Sequence, residues 1–204
     1  MEITDINQLD LNKTYSYADY LTWKFTEMVE LWRGKIVRMA APIWQHQYVM
    51  GKIFKEMDNF LEDSPCMVLQ APTDVRIPVL KGDTDDKVFT VVQPDVFILC
   101  DGTQRNDRHG WVGVPDLVVE IVSPSTRKHD LSTKKDLYQE AKIREYWVVF
   151  PLEKMLFQFY FNETTQRYNE PFIFANNDKF NAIIFPDFTL DLHKVFGKLD
   201  EWTA

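Results

Sequence analysis

Asp95 and Glu120 stand inside strand-like apolar runs, Pro94-Asp95-Val-Phe-Ile-Leu and Pro115-Asp116-Leu-Val-Val-Glu120-Ile-Val. Lys134 follows within a helical pattern. A charge among apolar neighbours is costly unless it has a partner or a task. Two carboxylates and a lysine at one edge of a sheet can hold a divalent metal and activate a water. A structural ion pair, or an acid at a strand end, meets the same demand. Periodicity alone does not choose between these readings.

Direction narrows the choice. Side chains alternate faces along a strand. Asp95 therefore shares a face with Phe97 and Leu99, and Asp116, Val118, Glu120 and Val122 share one in the next strand. On the helix predicted over Asp130 to Lys142, Leu137, Tyr138 and Ala141 define the apolar arc. Lys134 lies three residues before Leu137 and four before Tyr138, so it points with that arc. The connection from Glu120's strand delivers this helix at the strand's C-terminal end, from which Lys134 can reach back. A lysine with its stem buried and its head in water is the plain alternative.

The elements that must position these groups read as follows. Met28 to Met39 forms two short strands around Arg33-Gly34. Tyr17 to about Phe25 is a short helix. Ile43 to Leu61 is a longer amphipathic one, with His46, Met50, Ile53, Met57 and Phe60 on one stripe. Met67–Gln70, Asp74–Pro78 and Val88–Val92 are strand candidates, and Asp101–Gly110 is a polar loop. Leu117–Val122 and Glu145–Phe150 read as covered strands flanking the Asp130 helix, a βαβ unit with parallel strands. Lys154–Phe161, Arg167–Phe174 and Ala182–Phe185 are further strands, and Leu190–Leu199 a closing helix. The fold class is α/β, a mixed central sheet flanked by helices with additional antiparallel strands.

The chain has 204 residues, 45% of them hydrophobic, enough for one domain over residues 1–204 with a sizeable core. Cys66 and Cys100 form no C-x-x-C pair and read as reduced, buried thiols. The N-terminus has no apolar signal stretch and no run approaches a membrane span, so a cytoplasmic protein without membrane contact is expected. The net charge of −8 argues against nucleic-acid binding. A local field can differ, because metal ions offset carboxylates at a site. The chain carries no P-loop, no G-x-S-x-G and no H-E-x-x-H, and its four histidines lack zinc-ligand spacing.

An ordered set of motifs resembles the Uma2 family, also called DUF820, of the PD-(D/E)xK restriction-endonuclease-like superfamily. It comprises Gln93-Pro94-Asp95-Val96, Gly113 to Thr126 with Pro115-Asp116 and Glu120, then Asp130, Lys134, Tyr138 and Glu145-Tyr-Trp147. Upstream, Glu30, Gly34, Met39, Pro42, His46-Gln47 and Ala71-Pro72 also match. The resemblance covers about residues 28–160. It implies that Asp95 and Glu120 are the metal-binding acids. The superfamily's usual lysine position is Val122 here, and the resemblance moves that role to Lys134. The glycine expected in the segment before Glu145 is Lys142, which predicts an uncomfortable helix end.

The resemblance implies a metal-dependent DNA endonuclease using Mg²⁺ or Mn²⁺, with Asp95, Glu120 and Lys134 as catalytic residues. Glu30, His46 and Asp116 are accessory candidates. Arg127, Lys128 and Lys135 make a local basic patch where a phosphate backbone could lie. Duplex cleavage needs two cuts, which suits a homodimer. The competing reading is a non-catalytic nucleic-acid-binding or assembly module that keeps the nuclease fold; the net charge and the displaced lysine favour it.

Overall fold

In the computed structural model the described residues are 2–100, 105–107, 109–123 and 130–202. Strands in chain order are β1 (Val29–Trp32), β2 (Lys35–Arg38), β3 (Met67–Gln70), β4 (Val75–Ile77), β5 (Thr90–Val92), β6 (Val96–Leu99), β7 (Arg105–Asp107) and β8 (Gly110–Val112). They continue with β9 (Leu117–Ile121), β10 (Glu145–Phe150), β11 (Met155–Asn162), β12 (Arg167–Tyr168), β13 (Phe172–Ala175), β14 (Lys179–Asn181) and β15 (Thr189–Asp191). The α-helices are α1 (Tyr17–Tyr20), α2 (Trp44–Leu61), α3 (Lys135–Glu140) and α4 (Leu192–Phe196). A π-helical turn, Asp130–Lys134, runs directly into α3.

The chain divides into two compact units. The first comprises residues 1–41, 72–93 and 103–114, and holds a sheet in the order β2-β1-β5-β4-β8-β7. Its β1–β2 hairpin turns at Arg33 and Gly34, with φ of 49° and 78°. Two positive values define the two-residue turn whose twist matches the strands. A Cβ on Gly34 would meet the Thr14 side chain at 2.3 Å, so glycine is required there twice over. The segment expected as a polar loop after Asp101 instead contains the β7–β8 pair among its described residues. Alternation of apolar residues is absent there, so periodicity could not reveal it.

The second unit comprises residues 42–71, 94–102 and 115–204. Its main sheet has the order β12-β11-β10-β9-β6-β3, with β13 also paired to β11. β9 and β10 are parallel, with α3 between them in sequence, while β6 runs antiparallel to β9. The sheet is mixed, as expected. One face carries Val96, Ile98, Leu117, Val119, Ile121 and Val149 against Val49, Ile53 and Met57 of α2. Phe60, expected on the buried stripe, is 39% exposed, and Leu61 is buried in its place. No strand forms over Ala182–Phe185; the β14–β15 pair brackets that stretch.

Cys66 and Cys100 form a disulfide with Cα atoms 4.0 Å apart, which overturns the expectation of free thiols. The β3–β6 register explains it. Met67 faces Leu99, so Cys66 and Cys100 are the next opposed pair beyond the ladder. A 34-residue separation hid this from a motif search. No helix among the described residues is long and apolar enough to cross a membrane.

Candidate active site

The second unit gathers Asp95, Glu120, Lys134 and His46 from four elements. β6 and β9 pair with Val96 opposite Val119. Asp95 immediately precedes β6 and Glu120 immediately follows Val119, so both stand at the same end of this strand pair. Along β9, Glu120 points to the side opposite Val119 and Ile121, which pack in the core with α2. Asp95 and Glu120 are both buried, Glu120 at 4% exposure.

Each carboxylate is held by named donors. Asp95 Oδ2 accepts the Ile121 backbone N–H at 2.6 Å and faces His46 Nε2 at 3.1 Å. His46 Nδ1 is buried without a hydrogen-bond partner. Glu120 Oε1 accepts from Lys134 Nζ at 2.8 Å and from the Tyr138 hydroxyl at 2.5 Å. Lys134 is 6% exposed, so it is no snorkelling lysine; its ammonium sits against a carboxylate out of bulk water. Val122, also buried, stands two residues beyond Glu120 and offers no polar atom.

Local geometry explains the reach of Lys134. It is the last residue of the π-helical turn and adjoins the first turn of α3. Short π-helical insertions re-aim side chains and recur at functional sites. Tyr138, one helical turn on, packs its ring edge-on against Tyr146 of β10 with centroids 5.1 Å apart. That contact clamps α3 over the sheet face bearing Glu120. The sequence places Tyr138 on the apolar arc and among the family motifs without giving it a role; its i+4 spacing from Lys134 was the available signal for one.

The remaining candidates have other partners. Glu30 belongs to the first unit and is 2% exposed. Its Oε2 accepts from Trp32 Nε1 at 2.8 Å and its Oε1 from the Gln93 N–H at 2.7 Å. Asp116 lies four residues before Glu120, about 13 Å along the strand. Its oxygens accept from the Cys100 N–H at 2.8 Å and from Arg144 at 3.3 Å. Lys135 lies over the Phe159 ring, 5.3 Å from its centroid. Arg127 and Lys128 lie outside the described residues. Among the described residues no group of three or more His, Cys, Asp or Glu converges as a metal cage. Mg²⁺ commonly takes only one or two carboxylates and keeps its waters, so Asp95 and Glu120 suit it by donor type.

Residues 17–193 match the profile of a family described as "Uma2: Putative restriction endonuclease". The chain belongs to the Uma2 family. Its sequence is 27% identical over 137 residues to the uncharacterized protein slr1290 of Synechocystis, covering 66% of this chain and 67% of that protein. The Uma2 fold is shared with a DUF820 protein from Anabaena variabilis, whose crystal structure is described as that of a putative nuclease. The TM-score is 0.69 at 15% identity, over 90% of this chain and 98% of the other. The family description points to a nuclease, and the structural likeness establishes the fold.

Proposed function

We propose that this Uma2 protein is a metal-dependent DNA endonuclease that hydrolyses phosphodiester bonds at Asp95, Glu120 and Lys134. The observation that supports it best is the buried Lys134–Glu120 pair on β9, at the end of the β6–β9 pair where Asp95 stands. A fold stabilised only by packing gains little from an ammonium and a carboxylate buried together, because desolvation offsets their attraction. A phosphate-cleaving site needs both.

A divalent cation held by Asp95 and Glu120, Mg²⁺ or Mn²⁺, would supply Lewis acidity toward the scissile phosphate and the attacking water. Lys134 donates to Glu120 and brings positive charge to where the phosphate gathers negative charge in the transition state. Tyr138 fixes the Glu120 carboxylate, and His46 with the Ile121 N–H fixes Asp95. In this reading Glu30 and Asp116 maintain local structure. One domain over residues 1–204, a homodimer and a cytoplasmic setting belong to the same proposal. The Cys66–Cys100 bond pulls against the last of these, since cytoplasmic thiol pools keep most structural disulfides open.

Plasmid, single-stranded and branched DNA incubated with Mg²⁺ or Mn²⁺ test the reading. Asp95→Ala and Glu120→Ala should each lower cleavage by about 10²-fold or more. Cleavage unaffected by both substitutions would sink the site. Absence of cleavage on all three substrates would favour the non-catalytic binding module.

A further inference from the structure

A cavity in the second unit, about 410 Å³, opens between α2 and the segment of α4 and the residues after it. Lys52 and Lys55 line it from α2, and Lys194 and Lys198 from α4 and the residues just after it. This is a concentration of positive charge in a chain of net −8. Glu56 and Glu201 also line the cavity, yet no carboxylate oxygen lies within ion-pair distance of any of the four ammonium groups among the described residues. Four like charges around one opening repel each other, a cost that an anion would remove. His193 adds a fifth group able to donate a hydrogen bond.

Tyr48 also lines the cavity. Lys52 lies over the Tyr48 ring, 5.4 Å from the centroid, which fixes both side chains at the cavity. Four ammonium groups and an imidazole outnumber the two carboxylates of the lining and are donors of the kind that phosphate oxygens require.

We infer that this cavity binds phosphate groups of a nucleic-acid backbone. The inference rests on the nuclease reading for its choice of nucleic acid, and it stands apart from the basic patch expected at Arg127, Lys128 and Lys135. The lysines come from segments about 140 residues apart in sequence, so no linear basic run announced them.

The test uses full-length Asp95→Ala protein and a fluorescent duplex, with affinity measured across NaCl from about 50 to 200 mM, a span that separates backbone contacts by their salt dependence. Substituting Lys52, Lys194 and Lys198 together by Gln should weaken binding about tenfold or more at the lower salt, and flatten the log–log salt slope by roughly 2–3. Tyr48→Phe, which keeps the ring under Lys52, should leave both quantities near the parent values. Lys81→Gln with Lys87→Gln, in the other unit, should change neither quantity. An unchanged affinity and slope in the triple variant overturns the inference. If wild-type cleavage still depends on Asp95 and Glu120 in that case, the nuclease reading survives alone. Inorganic phosphate or pyrophosphate binding that needs these lysines, with no duplex binding, would assign the cavity to a free anion and overturn the backbone assignment. No binding of either probe overturns it as well.

Discussion

Two buried glutamates in neighbouring parallel strands meet the cost of burial in different ways. Glu145 accepts from Trp147 Nε1 and Gln158 Nε2, both at 2.6 Å, and from the Ile184 N–H at 2.9 Å. All three are neutral donors. Glu120 accepts instead from an ammonium and a phenol. This contrast separates a structural carboxylate from a candidate catalytic one; the sequence offered Lys134 as a partner for Glu120, but not the donors of Glu145, two of which come from segments distant in sequence. Lys134→Met should destabilise by about 3–5 kcal/mol by stranding Glu120, and adding Glu120→Gln should recover most of that loss. Urea unfolding of the two single variants and the double variant measures this; additive losses would show that the pair is not coupled. Asp74 offers a pH test. Burial, as the largest cause, raises its pKa above the ordinary carboxylate value despite hydrogen bonds from Gln93 and Tyr17. The folded state then holds this proton more tightly than the unfolded one. Its contribution is greatest in acid and is lost as pH rises from about 4 through the raised value. Asp74→Asn should remove that slope, so its stability relative to wild type should rise with pH across this window. A constant difference between the two proteins from pH 3.5 to 7 would contradict the assignment.

Elements with strong periodicity were legible: α2 begins one residue from its expected start, and β10 spans Glu145–Phe150 as read. The Asp130 helix was legible as helix, but its first turn is π-helical and α3 ends at Glu140. No propensity specifies a π turn; packing of Tyr138 and the pull of Glu120 on Lys134 act only in the folded sheet. The end of α3 was foreseen in part. Lys142 has φ 59°, the Ile143 N–H donates to Tyr138 O, and the Lys142 N–H donates to Gln139 O. These are the two bonds of a Schellman cap, whose left-handed position favours glycine. Lys142→Gly should therefore stabilise by about 0.5–1 kcal/mol, read as an upward shift in Tm. A lowered Tm would mean that the Lys142 side chain contributes more than its backbone costs.

At the scale of the molecule, the Cys66–Cys100 bond closes 34 residues of chain, from the end of α2 through β3 and both units to β6. Chain-entropy arguments give such a closure about 4 kcal/mol. Cys66→Ser, or reduction with dithiothreitol, should lower stability by up to that amount. Iodoacetamide should label neither cysteine before reduction. A calorimetric scan of the oxidised protein should show one transition if residues 1–204 fold as one domain. Which strands pair was not legible, because register is decided by contacts between segments far apart in sequence. That register also constrains how the chain can change over evolutionary time. Val96 faces Val119, so counting residues along two strands brings Asp95 and Glu120 to one end of the β6–β9 pair. Inserting or deleting one residue in β9 turns Glu120 to the opposite face of the sheet, and one in β6 shifts Asp95 along it. Relatives that keep this chemistry can vary in length at hairpin tips such as residues 163–166, but Pro94–Leu99 and Leu117–Ile121 must keep their length even where their apolar residues are exchanged.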